Sequence, residues 1–499
     1  MNSTVSFTGN VALRVGENIR ITDVVKSSSV NNALSTYEDF SKNTLSLGTV
    51  MPAGSTITYK FTIKNSSSND YILKSLTTTG TNAKATQTTS LTITNQTSTS
   101  ILSSGRIKKS TTSTYIITLT NNTTNSITDQ RLLTFNFSPI YKITYNLDKG
   151  TNDSSNPVEY FTGESITLVD PTSSWYEFIG WTGSNGSTPI KKLSVDTSKG
   201  GDLAFSANFE YPTFENGESF NANIKSLTGG SSGENDLIIA INIINSLPSN
   251  FTSSTPYVDV SVNKNGKILA YYLDNQIYIY SQATNMYLNN DSSLMFHELT
   301  SLTSIDLSKF DTSRVTNMNA MFHALKKLTS LDVSSFDTKN VTNFEGMFWA
   351  CFKLTSLDLS NFNTSKATTM SKMFCDCQNL ESLTLGNKFL TTKVTDMYAM
   401  FLQWFKITSL DLRTFDTTNV TNMASMFWHC YKLITIKATS TFSTETTKNV
   451  TNSAEMFAEC TSISGGFGQK YDENYIDKTY ATPDTGVPGN RGYFYNPNF

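Results

Sequence analysis

Hydrophobic residues recur with a fixed period through the last two-fifths of the chain. Seven Met-Phe pairs follow one another at steps of 26, 26, 26, 27, 26 and 30 residues, beginning at Met295, Met321, Met347, Met373, Met400, Met426 and Met456. Seven residues after each of the first six methionines, an aliphatic residue opens a frame of three apolar positions, as in Leu354, Leu357 and Leu359. A period in the twenties with this frame predicts stacked structural repeats.

Within one repeat, the pattern predicts a strand and then a helix. Apolar and polar residues alternate at Leu357, Asp358 and Leu359, so the leucines should face inward and the aspartate outward. Residues 315–322 then place two methionines on one helical face. These elements predict a leucine-rich-repeat solenoid with one short strand and one short helix per repeat. The phenylalanines that follow the strands should stack into a spine: Phe310, Phe336, Phe362, Phe389, Phe415 and Phe442.

The rest of the chain has mostly strand-like patterns, which predict a multidomain, β-rich protein. Apolar and polar residues alternate before residue 140, for example at Ile57, Tyr59, Phe61 and Ile63, as in an Ig-like β-sandwich. The predicted domains are 1–139 as the β-sandwich, 140–211 as a smaller module with Phe178 and Trp181 in its core, 212–294 as a linker and solenoid cap with a helix from Asp236 to Leu247, 295–480 as the repeats, and 481–499 as a closing segment.

Two segments resemble known families. The unit LTSLDLSNFNT at 354–364, with VTNM at 315–318 and the Met-Phe pairs, resembles the BspA-type leucine-rich repeat of bacterial surface proteins. Residues 140–211, with YNLDKG at 145–150 and FIGW at 178–181, resemble the internalin B-repeat, a β-grasp-like module that serves as a spacer. The fourth repeat departs from its family because Thr384 and Gly386 replace the usual Asp and Ser. The resemblance implies a protein of the bacterial cell surface or cell wall.

Composition narrows the classes of partner. Charged residues make up 16% of the chain, against an ordinary quarter, and the net charge is −3. No basic cluster is present, so we expect no nucleic-acid partner. No apolar run approaches the ~20 residues of a membrane span, so we expect no membrane insertion. We also expect no signal peptide at residues 1–7 and no complete wall-sorting signal at 482–486.

Four cysteines share one position in the repeats. Cys351, Cys377, Cys430 and Cys460 each stand four residues after a methionine of a Met-Phe pair, where another repeat has Trp404. This register predicts buried, unpaired thiols that act as small hydrophobic side chains. Alternatives are a disulfide between adjacent repeats or a soft-metal site.

No constellation of residues predicts an enzyme. Gly229, Ser231 and Gly233 match the spacing of a nucleophile elbow, but a Ser/Gly linker explains them more simply. The chain has three histidines, all in the repeats, and no phosphate-binding or dinucleotide motif. We therefore predict neither catalysis nor a cofactor nor a metal site.

Two columns of side chains are candidate binding faces. The first is the outward strand position, where like charges on neighbouring strands repel one another and suit a cationic partner: Asp306, Asp332, Asp358 and Asp411. The alternative is the position two residues after each methionine, which includes His323, Trp349 and Trp428. Without a binding function, the aspartates would form a solvated stripe, and the residues of the alternative column would be ordinary packing.

A third column begins the predicted helices: Asn317, Asn343, Asp396, Asn422 and Asn452. Backbone capping is its simpler interpretation, with calcium binding as the alternative.

The leading functional prediction is a bacterial cell-surface binding protein of the adhesin class, for protein or glycan partners on host or bacterial surfaces. One alternative is an architectural protein of the envelope or of a community matrix. A secreted enzyme with the repeats as a targeting module is a third.

Overall fold

The computed structural model describes residues 19–30, 34–41, 43–79, 89–95, 106–125, 127–229, 233–442, 446–484 and 491–495. They divide into two compact units. The first contains the described residues of 1–172 and 178–209, and the second contains those of 173–177 and 210–499.

Long antiparallel strands build the first part of unit one. They are β1 Ile19–Val30, β2 Leu34–Ser41, β3 Thr44–Met51, β4 Thr56–Asn65, β5 Tyr71–Thr79, β6 Thr89–Asn95, β7 Arg106–Ile107, β8 Thr111–Asn121 and β9 Ile127–Asn146. One sheet has the order β1-β4-β8-β6, and β2, β3, β5, β7 and β9 belong to another. The predicted alternation is confirmed in β4, where Ile57, Tyr59, Phe61 and Ile63 are fully buried. Phe61 packs on Phe135 of β9 with ring centroids 5.3 Å apart, so both sheets contribute to one core.

The second part of unit one has the strands β10 Glu159–Phe161, β11 Ile166–Thr167, β12 Glu177–Gly183, β13 Gly186–Ile190, β14 Ser194–Val195 and β15 Leu203–Glu210. Strands β10, β12, β13 and β15 extend the sheet that contains β9, whereas β11 and β14 form a separate two-stranded sheet. Strand β9 pairs with β3 near its beginning and runs parallel to β15 near its end. As predicted, Phe178 and Trp181 fill a small core.

Two sheets do pack on one core in the first segment, but the prediction of a separate β-sandwich followed by a β-grasp-like module is wrong. The 20 residues of β9 carry one nine-stranded sheet through both segments, and the predicted boundary at 139/140 falls inside this strand. A β-grasp also needs a helix across its sheet. Residues 140–211, all of which are described, contain none.

Unit two begins with its helix and a five-stranded sheet. Helix α1 spans Gly217–Ser226, and the side chain of Asn216 caps it by accepting a hydrogen bond from the Ser219 amide. The strands are β16 Ala240–Ile244, β17 Tyr257–Asp259, β18 Leu269–Leu273, β19 Gln276–Tyr280, β20 Met286–Tyr287 and β21 Ser304–Ile305, with the sheet order β17-β18-β19-β16-β21.

The helix predicted from Asp236 to Leu247 is wrong, because Ala240–Ile244 is a strand. It runs parallel to β19 on one side and to β21 on the other. A central parallel strand can be as continuously apolar as a buried helix, so the run of isoleucines fits both structures. Pairing with these two neighbouring strands stabilises the extended conformation, and a local sequence pattern does not reveal those partners.

The repeats do not form a leucine-rich-repeat solenoid, which corrects the main fold prediction. Their strands are β22 Phe310–Asp311, β23 Ser356–Leu359, β24 Ser382–Leu385, β25 Ser409–Asp411, β26 Thr435–Lys437 and β27 Phe494–Tyr495, with short 3₁₀ helices at Thr446–Asn449 and Lys478–Tyr480. These strands pair only in sets of two or three. Among the described residues, α1 is the only α-helix.

Backbone conformation explains the missing helices. A residue with positive φ lies directly before each Met-Phe pair and another lies three residues after its methionine, as at Ala320 (φ 50°) and Ala324 (φ 59°) around Met321. A right-handed helix cannot pass through left-handed residues. The amphipathic spacing therefore belongs to a series of tight turns with one buried side.

Backbone hydrogen bonds join each repeat to the next at these turns. The amides of Met318, Ala320 and Phe322 donate to carbonyls of the following repeat over 3.0, 2.8 and 2.9 Å. Parallel bridges continue along one column: Asp291, Asn317, Asn343, Thr369, Asp396, Asn422 and Asn452. The repeats therefore stack mainly through the turn where a helix was predicted.

The aromatic spine also lies in another column than predicted. The predicted phenylalanines are buried, and Phe389 stacks on Phe415 at 5.9 Å. The continuous stack uses the Met-Phe pairs, with centroid distances of 5.4 to 5.7 Å: Phe296, Phe322, Phe348, Phe374, Phe401, Phe427 and Phe457.

Candidate functional site

The predicted acidic column is fixed by its own backbone. In Asp306, Asp332 and Asp358, one carboxylate oxygen accepts a hydrogen bond from the amide two residues later, in each case over 2.9 Å. Such a turn holds the side chain close to the main chain and limits its rotamers. The carboxylates are thus presented in a repeated, preorganised geometry.

Hydrogen bonds also lower the pKa of Asp332 and of Asp358. The hydroxyl and then the amide of Ser334 lower the pKa of Asp332 below its usual value. For Asp358, the amide of Ser360 lowers the pKa most, followed by the Ser360 hydroxyl. Both side chains lie on the surface, so their negative charge is available to a partner at neutral pH.

Asp411 differs from the other three. Its carboxylate forms an ion pair with Arg413 at 2.7 Å, and Arg413 is the largest cause of its lowered pKa. Lys437 stands in register with Asp411 on the neighbouring strand. Asp358 is in register with neutral Thr384. The negative charge is therefore concentrated on Asp306, Asp332 and Asp358, which we call the acidic face.

The alternative column is a packed set of rings. His297 and His323 stack at 4.7 Å with their Nδ1 atoms 2.8 Å apart, and His323 contacts the Trp349 ring at 4.5 Å. The indole Nε1 of Trp349 donates to Asp376 over 3.3 Å, and Lys372 lies 4.7 Å from its ring centroid. These contacts join neighbouring repeats.

Trp428 lies in the same column but packs differently. Its ring meets His429 edge-on at 4.7 Å. All three predicted residues of this column are half-buried, so much of their surface is already used within the chain.

The histidine pair is neutral at neutral pH. A hydrogen bond between two Nδ1 atoms requires one nitrogen to donate and the other to accept. Burial is the main cause that lowers the pKa of His323, to about 4, and His297 adds to this. Burial also lowers the pKa of His297.

Lys225 of α1 is a buried cation near this pair. Its Nζ has no hydrogen-bond partner within the part of the chain that the structure describes, and the residue is 1% exposed. Burial lowers its pKa, partly offset by Glu298 and Glu234. An unpaired buried ammonium costs free energy because nothing replaces its water.

We expect Lys225→Met to raise the free energy of unfolding by about 1–2 kcal/mol at neutral pH, because it removes this desolvation cost. The folded-state pKa lies below the ordinary 10.5, so the native state loses stability as pH falls through the folded pKa. The gain from the substitution should therefore shrink as pH rises toward 10.5. Urea unfolding at several pH values measures this effect. The exposed Lys353→Met is the control, and a destabilised Lys225→Met would contradict the expectation.

The third column, at the start of the predicted helices, caps backbone amides as expected. Asn317, Asn343 and Asp396 accept hydrogen bonds from the amide two residues later over 3.1, 2.9 and 2.9 Å. No group of three or more His, Cys, Asp or Glu side chains among the described residues could hold a metal ion.

The predicted burial of the cysteines is confirmed, and all five are free thiols. Sequence reasoning missed their hydrogen bonds. Each of the four in the shared register donates its thiol to the carbonyl of the Met-Phe phenylalanine one repeat earlier, as Cys351 does to Phe322 over 3.2 Å. Trp404 donates to Phe374 in the same way over 2.7 Å. Burial raises the pKa of the Cys351 thiol to about 12, so it is an unreactive donor.

Sequence reasoning also missed an aromatic surface on β17, β18 and β19. Its signal is the alternation of isoleucine and tyrosine at 277–280, which places Ile277 and Ile279 in the core and the tyrosines on the opposite side. Two motifs lie partly outside the described residues: 230–232 of the Gly/Ser segment and 485–486 of the segment similar to a sorting signal.

Comparison with known proteins gives one family. The family described as "Mycoplasma protein of unknown function, DUF285" matches residues 282–384 and 353–469, which together cover less than half of the chain. No curated protein and no solved structure matches. In the part of the chain that the structure describes, no helix is long and apolar enough to cross a membrane.

Proposed function

We propose that this chain is a bacterial cell-surface binding protein of the adhesin or host-interaction class, which acts outside the cell without catalysis. The resemblance of its repeats to bacterial surface proteins supports the location. The acidic face supports the mode of binding, because it holds three carboxylates in one repeated geometry.

The acidic face suits a basic region of a partner protein. In a chain with 16% charged residues, carboxylates that recur at one position of successive repeats are a distinct electrostatic feature. Charge complementarity of this kind raises the rate of association and selects the partner. The alternative column is the weaker candidate because the Trp349 ring already packs on His323 and Lys372.

The test is the double substitution Asp332→Asn and Asp358→Asn. Asparagine retains the oxygen that accepts the turn hydrogen bond, so the variant removes charge with little change of structure. We expect affinity to fall about tenfold and its salt dependence to flatten. The matched control is Asp411→Asn, whose charge Arg413 already offsets. It should change affinity less than about twofold.

Arrays of host extracellular proteins, of glycans and of intact bacterial cells supply the partner. Binding to the array members that retain the chain is then measured at about 0.01 M and about 1 M salt, where screening lengths are about 30 and 3 Å. Unchanged affinity in the double variant, with loss in Trp349→Ala, would move the site to the alternative column. Retention by bacterial cells alone would favour the architectural role.

A further inference from the structure

Three neighbouring strands of the five-stranded sheet in unit two carry tyrosines on one face. Tyr257 on β17, Tyr271 on β18 and Tyr278 on β19 are cross-strand neighbours, so their side chains share one face. Tyr257 stacks on Tyr271 at 5.2 Å and is 59% exposed. The opposite face of these strands belongs to the core.

Two further rings border these tyrosines. Phe251 meets Tyr271 and Tyr278 edge-on at 5.2 and 5.4 Å. Trp175 meets Tyr280 edge-on at 5.2 Å, and it lies in the short segment 173–177 that belongs to unit two.

The loop before β17 turns this aromatic surface into a preformed cavity of about 400 Å³, a volume within the range of ligand sites. The Thr252 amide donates to the Thr255 hydroxyl over 2.9 Å, and the Thr255 amide donates to the Thr252 carbonyl over 3.0 Å. The Tyr272 amide fixes the end of the loop by donating to Pro256. Phe251 and Tyr257 form aromatic walls, with Thr252 and Ser253 as hydroxyl neighbours.

The chemistry of the lining selects the ligand. Among the described residues, no Asp, Glu, Lys, Arg or His side chain lines the cavity, so a charged ligand would lose its hydration without gaining a counter-charge. Aromatic faces carry negative charge density and attract the weakly positive C–H groups on the face of a sugar ring. Hydroxyl side chains can both donate to and accept from sugar hydroxyls.

We propose that this cavity is a binding site for a neutral glycan, with one sugar ring stacked on Tyr257. A proline-rich peptide, the other ligand of aromatic grooves, needs open slots between rings. Phe251 already fills the slot between Tyr271 and Tyr278. The site lies outside residues 282–469 and is independent of the acidic face.

The test titrates the whole chain calorimetrically with cellotetraose, chitotetraose, mannotetraose and decaproline. We expect at least one sugar to bind with little salt dependence, and Tyr257→Ala to weaken it at least about tenfold. Tyr257→Phe keeps the ring and should stay within about threefold. Tyr431→Ala, at a tyrosine that is 40% exposed in the repeats, is the control and should bind like the unchanged chain.

Three results would overturn the proposal. They are binding of none of the sugars, binding of decaproline in their place, and equal sugar binding by Tyr257→Ala and the unchanged chain. Because Tyr257 is exposed, its variants should keep the native circular dichroism. If the alanine variant unfolds, the phenylalanine variant still tests the site, because it should fold and retain sugar binding.

Discussion

Phe374→Ala should lower the free energy of unfolding of unit two by about 3–5 kcal/mol, the usual cost of removing a buried phenylalanine. The ring is fully buried and lies in the middle of the Met-Phe stack, 5.7 Å from both Phe348 and Phe401. It also meets Trp404 edge-on at 6.0 Å. One substitution therefore removes contacts on both sides of a repeat.

Hydrogen exchange should show where this loss is felt. Each repeat is bonded to its neighbours, so protection should fall in residues 348–427. Residues 43–79 have their own core and should keep their protection. Phe374→Leu retains most of the volume and should cost less than the alanine variant, with the loss of aromatic stacking, about 0.5–1.5 kcal/mol per pair, remaining. Phe467→Ala, at a ring that is 59% exposed, is the control. A cost below about 1 kcal/mol for Phe374→Ala would contradict the stack as the main support of the repeats.

Gly386→Ser should destabilise the chain by about 3 kcal/mol, although serine is the residue that three other repeats have at this position. A Cβ atom on Gly386 would lie 2.1 Å from the carbonyl oxygen of Ser360 and 2.8 Å from its carbonyl carbon. Both contacts are with backbone, so no side-chain rotation relieves them. Restoring the repeat consensus should therefore weaken the pairing of β23 and β24.

Ser334→Gly is the reverse change at the equivalent position of another repeat. It should cost only about 1 kcal/mol, from the usual entropic penalty of glycine and the loss of the Ser334 hydroxyl's hydrogen bond to the exposed Asp332. Thermal and urea unfolding of both variants measure the difference. If Gly386→Ser were as stable as the unchanged chain, that result would contradict the close contact between residue 386 and the Ser360 backbone.

A local sequence pattern contains information on burial but not on backbone conformation. Burial was predictable because it depends on apolar character and spacing, and Ile57, Leu357 and Cys377 are buried as expected. Backbone conformation was not predictable in the same way. The spacing of Met318, Met321 and Phe322 fits a helix and also fits a row of turns with a common buried side. The left-handed φ at Ala320 and Ala324 distinguishes the two, and alanine does not signal it.

The candidate site shows the same division. The outward position of Asp358 follows from the alternation in β23 and was predicted. Asp332 is exposed as predicted, although residues 328–333 form no strand. The structure removed Asp411 from the acidic face, because Asp411 pairs with Arg413 and stands in register with Lys437. The sequence column alone did not indicate this. The tyrosine surface needed three strands to pair, because Tyr257, Tyr271 and Tyr278 lie on β17, β18 and β19.

The sequence by itself determined the period of the repeats, the identity of their buried positions and the strand character of the described residues before 140, since these depend on side-chain polarity and local spacing. The tertiary structure decided that Ala240–Ile244 is a strand, that the Met-Phe rings form the continuous stack and that β9 joins two predicted domains. Each of these outcomes depends on which distant backbone supplies the hydrogen-bond partner or which distant ring is available for stacking. That partner lies outside any local window of residues, so hydrophobic periodicity alone cannot select it.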